Sequence, residues 1–189
     1  MVSFAATQTF MKRFYCSLVI LLGFVSLLQA QSYEQVQVLH DTDGSKILMG
    51  ILNRASITSD TSFSWYAPSA KDYTPYKKAV ESIGKHRDSL QFIVFLGTWC
   101  HDTQFIIPKF FRLMDAAYVV ENKIALFGVD RDKKTLGPLA DALQIIDVPT
   151  IIVMKNGHEL GRVVEYGRYG MFDKELGEIV DAAFASGKN

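Results

Sequence analysis

Residues 90–97 read Leu-Gln-Phe-Ile-Val-Phe-Leu-Gly, an almost unbroken apolar run. A run this short, with no polar alternation, fits a strand covered on both faces. Such a strand needs partners beside it and layers above and below it. Lys123–Val129, Thr150–Met154 and Leu160–Glu165 read as three more strands. Between the second and third of these, Lys155-Asn156-Gly157 marks a tight hairpin. Helical spacing fills the gaps. Tyr76, Val80 and Ile83 follow a Thr74-Pro75 opening, and Pro suits a first helical position. Residues 102–121 place Phe105, Ile106, Phe110, Leu113, Met114 and Ala117 on one stripe. Leu136–Leu143 predicts a short helix and Phe172–Phe184 a closing amphipathic one. From Tyr73 the order is α-β-α-β-α-β-β-α. That is an α/β chain with a mixed central sheet and helices on both faces.

The first part of the chain reads differently. Lys12 and Arg13 precede an apolar run from Leu18 to Leu28, and Leu28-Gln29-Ala30 ends it. A positive flank, a short apolar core and a small residue at a cut site predict a secretory signal peptide over residues 1–30. The run is shorter than the roughly 20 residues of a membrane span. The alternative is an uncleaved anchor. Cleavage after Ala30 removes two basic residues of 20 and none of the 20 acidic ones, for a net charge of −2. It also removes Cys16 and leaves Cys100 as a lone thiol in an oxidising compartment. The expected location is periplasmic or otherwise exported, with no stable membrane span after cleavage.

Residues 31–72 predict a β-rich extension. Val36, Val38 and Ile47–Leu52 are strand-like around an Asp41-Thr-Asp-Gly-Ser45 turn. That Asp-x-Asp-Gly string lacks the later ligands of a calcium loop, so a hairpin turn is the reading. Ser62–Tyr66 reads as a further short strand.

Composition narrows the function. Basic and acidic residues balance at 20 each and show no clustering, which speaks against nucleic acid as a partner. His40, His86 and His158 are scattered without metal-ligand spacing, so neither a metal nor another cofactor is expected. Tyr166, Arg168 and Tyr169 lie among glycines, either at an active-site edge or in a surface turn.

The chemistry sits at Trp99-Cys100-His101-Asp102-Thr103, where the most buried strand gives way to a helix. Unpaired N–H groups at a helix start favour an anion, and a thiolate is one. Thr103 lies one turn on, and its hydroxyl can donate to the sulfur. Asp102 is expected to point to solvent. The alternative for Cys100 is a small apolar packing residue. For Thr103 it is an ordinary helix residue, and Trp99 is either core or contact surface.

This stretch resembles the thioredoxin family, whose active site is Trp-Cys-x-x-Cys at a helix start. Pro108 lies where the family kinks that helix, Val148-Pro149-Thr150 matches its cis-proline loop, and Lys155-Asn156-Gly157 its hairpin. With Glu159–Glu165 the likeness extends to exported bacterial thioredoxin-like proteins and covers residues 74–187. The resemblance implies a thioredoxin fold over 73–189. It also implies a cis bond at Pro149 that presents Val148 to an extended peptide, with a plain structural turn as the alternative. Two departures stand out. The second, resolving cysteine corresponds to Thr103, and the buried acid six residues before the first cysteine corresponds to Val94.

The expectation is monothiol thiol–disulfide exchange, with Cys100 and Thr103 catalytic and Trp99, His101, Val148 and Pro149 binding substrate. The partners would be a cysteine-containing or disulfide-bonded protein or peptide and an external thiol reductant. The alternative is a redox-inactive module that holds peptides in the cis-proline groove.

Overall fold

The computed structural model describes residues 35–186. The signal-peptide reading therefore lies outside the described residues. Six strands form one sheet: β1 (Val36–His40), β2 (Lys46–Leu52), β3 (Gln91–Leu96), β4 (Ile124–Gly128), β5 (Thr150–Lys155) and β6 (His158–Val164). Their order is β1-β2-β4-β3-β5-β6. The β3–β4 pair is parallel, and the β1–β2, β2–β4, β3–β5 and β5–β6 pairs are antiparallel. The apolar run of residues 90–97 becomes β3, at the centre of the sheet, with Phe92, Val94, Phe95 and Leu96 fully buried. The fold is thus the expected mixed sheet of a thioredoxin fold, flanked by helices and led by an N-terminal region.

Among the described residues six α-helices accompany the strands: α1 (Arg54–Thr58), α2 (Tyr66–Ala70), α3 (Lys77–His86), α4 (His101–Ala116), α5 (Leu139–Ala142) and α6 (Phe172–Ala185). They are divided unequally between the two faces. Ala79 and Ile83 of α3, Ile106, Phe110 and Leu113 of α4, and Leu176 and Val180 of α6 join Phe92, Val94, Leu126 and Ile151 in one core. The opposite face buries Phe95, Val129 and Ile152 under Ala140 of the four-residue α5. The α3–α6 contact is close because residue 177 is glycine. A Cβ there would lie 2.7 Å from the Ala79 backbone.

The extension is continuous with the sheet. β2 pairs with β4 and β1 covers β2, so residues 36–52 extend one edge of the sheet. Arg54 of α1 makes a two-pronged ion pair to Asp115 of α4 at 2.8 and 2.9 Å, which ties the extension to the active-site helix. The strand expected at Ser62–Tyr66 is not there. Asp60 accepts the Ser62 N–H at 2.9 Å, and a 3₁₀ turn over Thr61–Phe63 runs on toward α2. The carboxylate cap sets this local winding and overrides the aromatic residues' preference for extended backbone.

Candidate functional site

The site begins where β3 runs out. Leu96 leads through Gly97, Thr98 and Trp99 to Cys100, which is the extended N-cap residue of α4. The Cys100 N–H donates to the Gly97 carbonyl at 2.9 Å. The Cys100 carbonyl accepts the first helical bond, from Gln104, at 3.0 Å. Cys100 is a free, half-buried thiol. Its Sγ lies 3.1 Å from the Val148 carbonyl oxygen, to which the S–H donates. The Val148–Pro149 peptide is cis. Cys100, Val148 and Pro149 are therefore brought together from segments about fifty residues apart.

Gly97 makes room for Trp99. A Cβ at Gly97 would lie 2.6 Å from the indole, which no side chain tolerates without displacing the ring. Trp99 Nε1 donates to the Val129 carbonyl at 3.1 Å, and the Arg131 guanidinium stands 4.7 Å over its ring. The ring is half-buried, so it packs and also presents surface. His101 opens α4, is exposed, and lines a cleft of about 460 Å³ with Trp99.

Thr103 takes a different place from the one the sequence suggests. It is fully buried, and its Oγ1 accepts the Gly97 N–H at 3.2 Å. Among the described residues its hydroxyl is used to hold the loop behind Cys100, and the sulfur's bond goes to Val148 instead. The i+3 side of a helix opening at the sheet faces inward, so a small polar residue there meets the preceding loop. Val94 lies beneath, fully buried and apolar.

A second group of residues borders the sulfur on the cis-proline side. The Glu165 N–H donates to the Pro149 carbonyl at 2.7 Å, and Glu165 has φ +50°, a backbone that residues with a Cβ rarely adopt. Burial, then the negative charges of Asp102 and Asp147, raise the Glu165 carboxyl above its ordinary value. Burial, and then a hydrogen bond to Asp102, raise the Tyr166 hydroxyl, with the nearby Cys100 adding to the effect. The Tyr166 ring sits 5.6 Å from Phe105 of α4, which brings residues 165–166 against the start of that helix. Arg168 fastens the following turn to α6, with its N–H and Nε both bonded to buried Glu175 at 2.7 and 2.8 Å.

Sequence reasoning names Tyr166 only as an edge residue, sends Asp102 to solvent and leaves Glu165 unassigned. The available signal was Gly167, two residues past the strand expected to end at Glu165, which marks a sharp turn.

The chemistry available here is that of one thiol. It is flanked by the buried Val148–Pro149 loop, whose Val148 carbonyl takes the S–H, and by an acidic border, and among the described residues no second sulfur lies one helical turn away. A family profile described as thioredoxin matches residues 71–174, more than half of the chain, spanning β3 through β6 and the start of α6. A thioredoxin of Echinococcus granulosus is 31% identical over 84 residues, covering 44% of this chain and 73% of the relative. Two solved structures are also similar. Thioredoxin f2 of Chlamydomonas reinhardtii has a TM-score of 0.39 and 16% identity, covering 64% of this chain and 91% of its own. Thioredoxin O2 of Arabidopsis thaliana has 0.36 and 21%, covering 54% and 83%. The matched region contains both Cys100 and the Val148–Pro149 loop, and this chain belongs to the thioredoxin family.

Proposed function

We propose that the protein carries out thiol–disulfide exchange as a monothiol, with Cys100 as the nucleophile. The observation that carries this reading is the pairing of the Cys100 thiol with the Val148 carbonyl beside cis-Pro149, at the N-cap of a sixteen-residue helix. The thiol gives its proton to solvent as it leaves the Val148 carbonyl. The thiolate attacks one sulfur of a partner disulfide. A Cys100–partner S–S bond forms, the partner's own S–S bond breaks, and the electron pair leaves on its second sulfur. Thr103 has no thiol with which to expel the first sulfur. The mixed disulfide therefore waits for an external thiolate, which takes the partner's sulfur and returns the electron pair to Cys100. The partner would be a cysteine-containing or disulfide-bonded protein or peptide, laid against the Val148–Pro149 loop. The signal-like N-terminus supports work in an exported, oxidising setting, where such disulfides exist.

The test is catalysis of disulfide exchange in a fluorescent reporter peptide, with a monothiol in excess. The wild-type protein accelerates the exchange and Cys100→Ser does not. One observation favours a second reading, a binding module without a redox cycle. The thiol is already committed to a carbonyl and packs with Val148 and Trp99 in the smaller core. That reading has Cys100→Ser bind reporter peptide as well as the wild type, with no exchange by either.

A further inference from the structure

The loop Gly97-Thr98-Trp99 is hung on the N-terminal extension by one hydroxyl. β2 pairs with β4 at Gly50, Ile51 and Leu52, where β4 reaches its last residue, Gly128. The earlier residues of β2, 46–49, are paired with β1 along one side. On the other side, past the end of β4, a side chain takes the place of a strand. The Leu48 N–H donates to the Thr98 hydroxyl at 3.2 Å, and that hydroxyl donates to the Lys46 carbonyl at 3.0 Å. Thr98 is 3% exposed, so one buried hydroxyl satisfies two backbone groups of the extension.

Thr98 is held at its backbone as well. Its carbonyl accepts a bond from Gln104 Nε2 at 3.0 Å, and the Gln104 N–H donates to the Cys100 carbonyl at 3.0 Å. One residue of α4 thereby grips the loop on both sides of Trp99. Trp99 also has a link to the same hairpin. Asp41, directly after β1, accepts a bond from Arg131 Nε at 2.7 Å, and the Arg131 guanidinium stands over the indole. The hairpin end is fixed in turn, since Lys46 Nζ pairs with Asp60 at 2.6 Å. Residues 98 and 99 are both tied to residues 41–48, and Cys100 follows them directly.

We propose that Thr98 is a positioning residue for exchange, and that through it the β1–β2 hairpin sets the direction in which Cys100 meets a partner disulfide. The proposal rests on the exchange reading above. Attack on a disulfide requires the thiolate sulfur to lie in line with the S–S bond that breaks. A docked partner is held by its own contacts, so Cys100 must be aimed at it. A misplacement of about 1 Å can cost on the order of a hundredfold in rate. A small alkylating reagent approaches from any open side and makes no such demand. The ratio of the two rates therefore reports on aim, and it cancels the fraction of Cys100 that is thiolate.

The experiment compares full-length wild type with Thr98→Val, Thr98→Ser and Gln104→Met. Each protein reacts with iodoacetamide and, separately, with a disulfide-bonded reporter peptide at the same pH. Peptide mapping follows Cys100 apart from Cys16. Valine keeps the shape of threonine but leaves the Lys46 carbonyl and the Leu48 N–H unpaired, whereas serine keeps the hydroxyl. The expected result is a peptide-to-iodoacetamide ratio about tenfold lower in Thr98→Val, a partial loss of aim. Thr98→Ser should restore the wild-type ratio. Gln104→Met removes the grip on the Thr98 carbonyl and should lower the ratio too, and it carries the test if Thr98→Val does not fold. An unchanged ratio in the folded variants, or a fall that Thr98→Ser shares, overturns the proposal. When wild-type Cys100 still forms the peptide adduct in those cases, only the role of Thr98 falls. If wild-type Cys100 takes iodoacetamide and forms no peptide adduct, the exchange reading falls with it.

Discussion

The Thr103 hydroxyl accepts the Gly97 N–H at 3.2 Å, so the position one turn after Cys100 holds an alcohol already engaged with the loop behind the thiol. The side chain is fully buried and lies at the opening of the same helix as Cys100. Replacing it with a thiol is therefore a direct probe of what the missing cysteine withholds. Thr103→Cys should acquire an internal disulfide between Cys100 and the introduced thiol, and release a bound partner without external thiol. Losing the hydroxyl acceptor should cost about 1 kcal/mol of stability. Mass spectrometry of the oxidised protein and denaturant melts of the reduced one read the two effects.

Gly97→Ala tests how tightly the active-site loop is fitted. The added methyl would lie 2.6 Å from the Trp99 indole, whose Nε1 is tied to the Val129 carbonyl. The ring must move, at an overpacking cost of about 1–3 kcal/mol. The expected signs are a lower denaturation midpoint and a shift in tryptophan emission. An unchanged emission spectrum would mean that the loop accommodates the methyl without disturbing Trp99.

Glu165 carries a pH signature. Burial and the charges of Asp102 and Asp147 raise its carboxyl in the folded protein, so the folded state holds that proton more tightly than the unfolded chain. Its favourable contribution is full below the ordinary value of 4.5 and is lost as pH rises through the raised one. Glu165→Gln removes the ionisation. It should stabilise the protein at neutral pH by about 0.2–1 kcal/mol, the size of a partly exposed charge interaction. The advantage should vanish below the ordinary value. Paired melts of the two proteins across the acid range give the answer.

Asp60 should behave in the opposite sense. Hydrogen bonds from Lys46 and then from Ser62 hold its carboxyl down at about 2. Its contribution is present above the ordinary 3.8 and is lost as pH falls toward that lowered value. The stability difference between wild type and Asp60→Asn should accordingly shrink in that window. A difference that stays constant there would show the Lys46 tie to be weak in solution.

What can be read from the residues depends on how local the deciding force is. β3 follows from its apolar run, and the Asn156-Gly157 turn from two residues that accept positive φ, 50° and 79° here. The apolar stripe of the long helix overstates its length. The helix ends at Ala116, where Tyr118 turns left-handed at φ 57° and breaks a stripe that composition alone continues. Ser62–Tyr66 reads as a strand because aromatic residues favour one, whereas the Asp60 cap two residues before Ser62 decides the winding. The position of Cys100 at a helix start is legible for the same local reason as β3. The acidic border of the site is not. Asp102 and Glu165 are sixty-three positions apart and meet only because β6 returns beside cis-Pro149. The cleft is equally hidden, since it needs the β1–β2 turn and Arg131 on one side of Trp99.

The most direct measurement is the fate of the protein after brief exposure to a disulfide-bonded peptide, followed by intact mass and peptide mapping. A monothiol nucleophile predicts a peptide adduct on Cys100 that persists after the free peptide is removed and disappears when a small thiol is added. No adduct on native Cys100, or an adduct that resolves itself without added thiol, would contradict it.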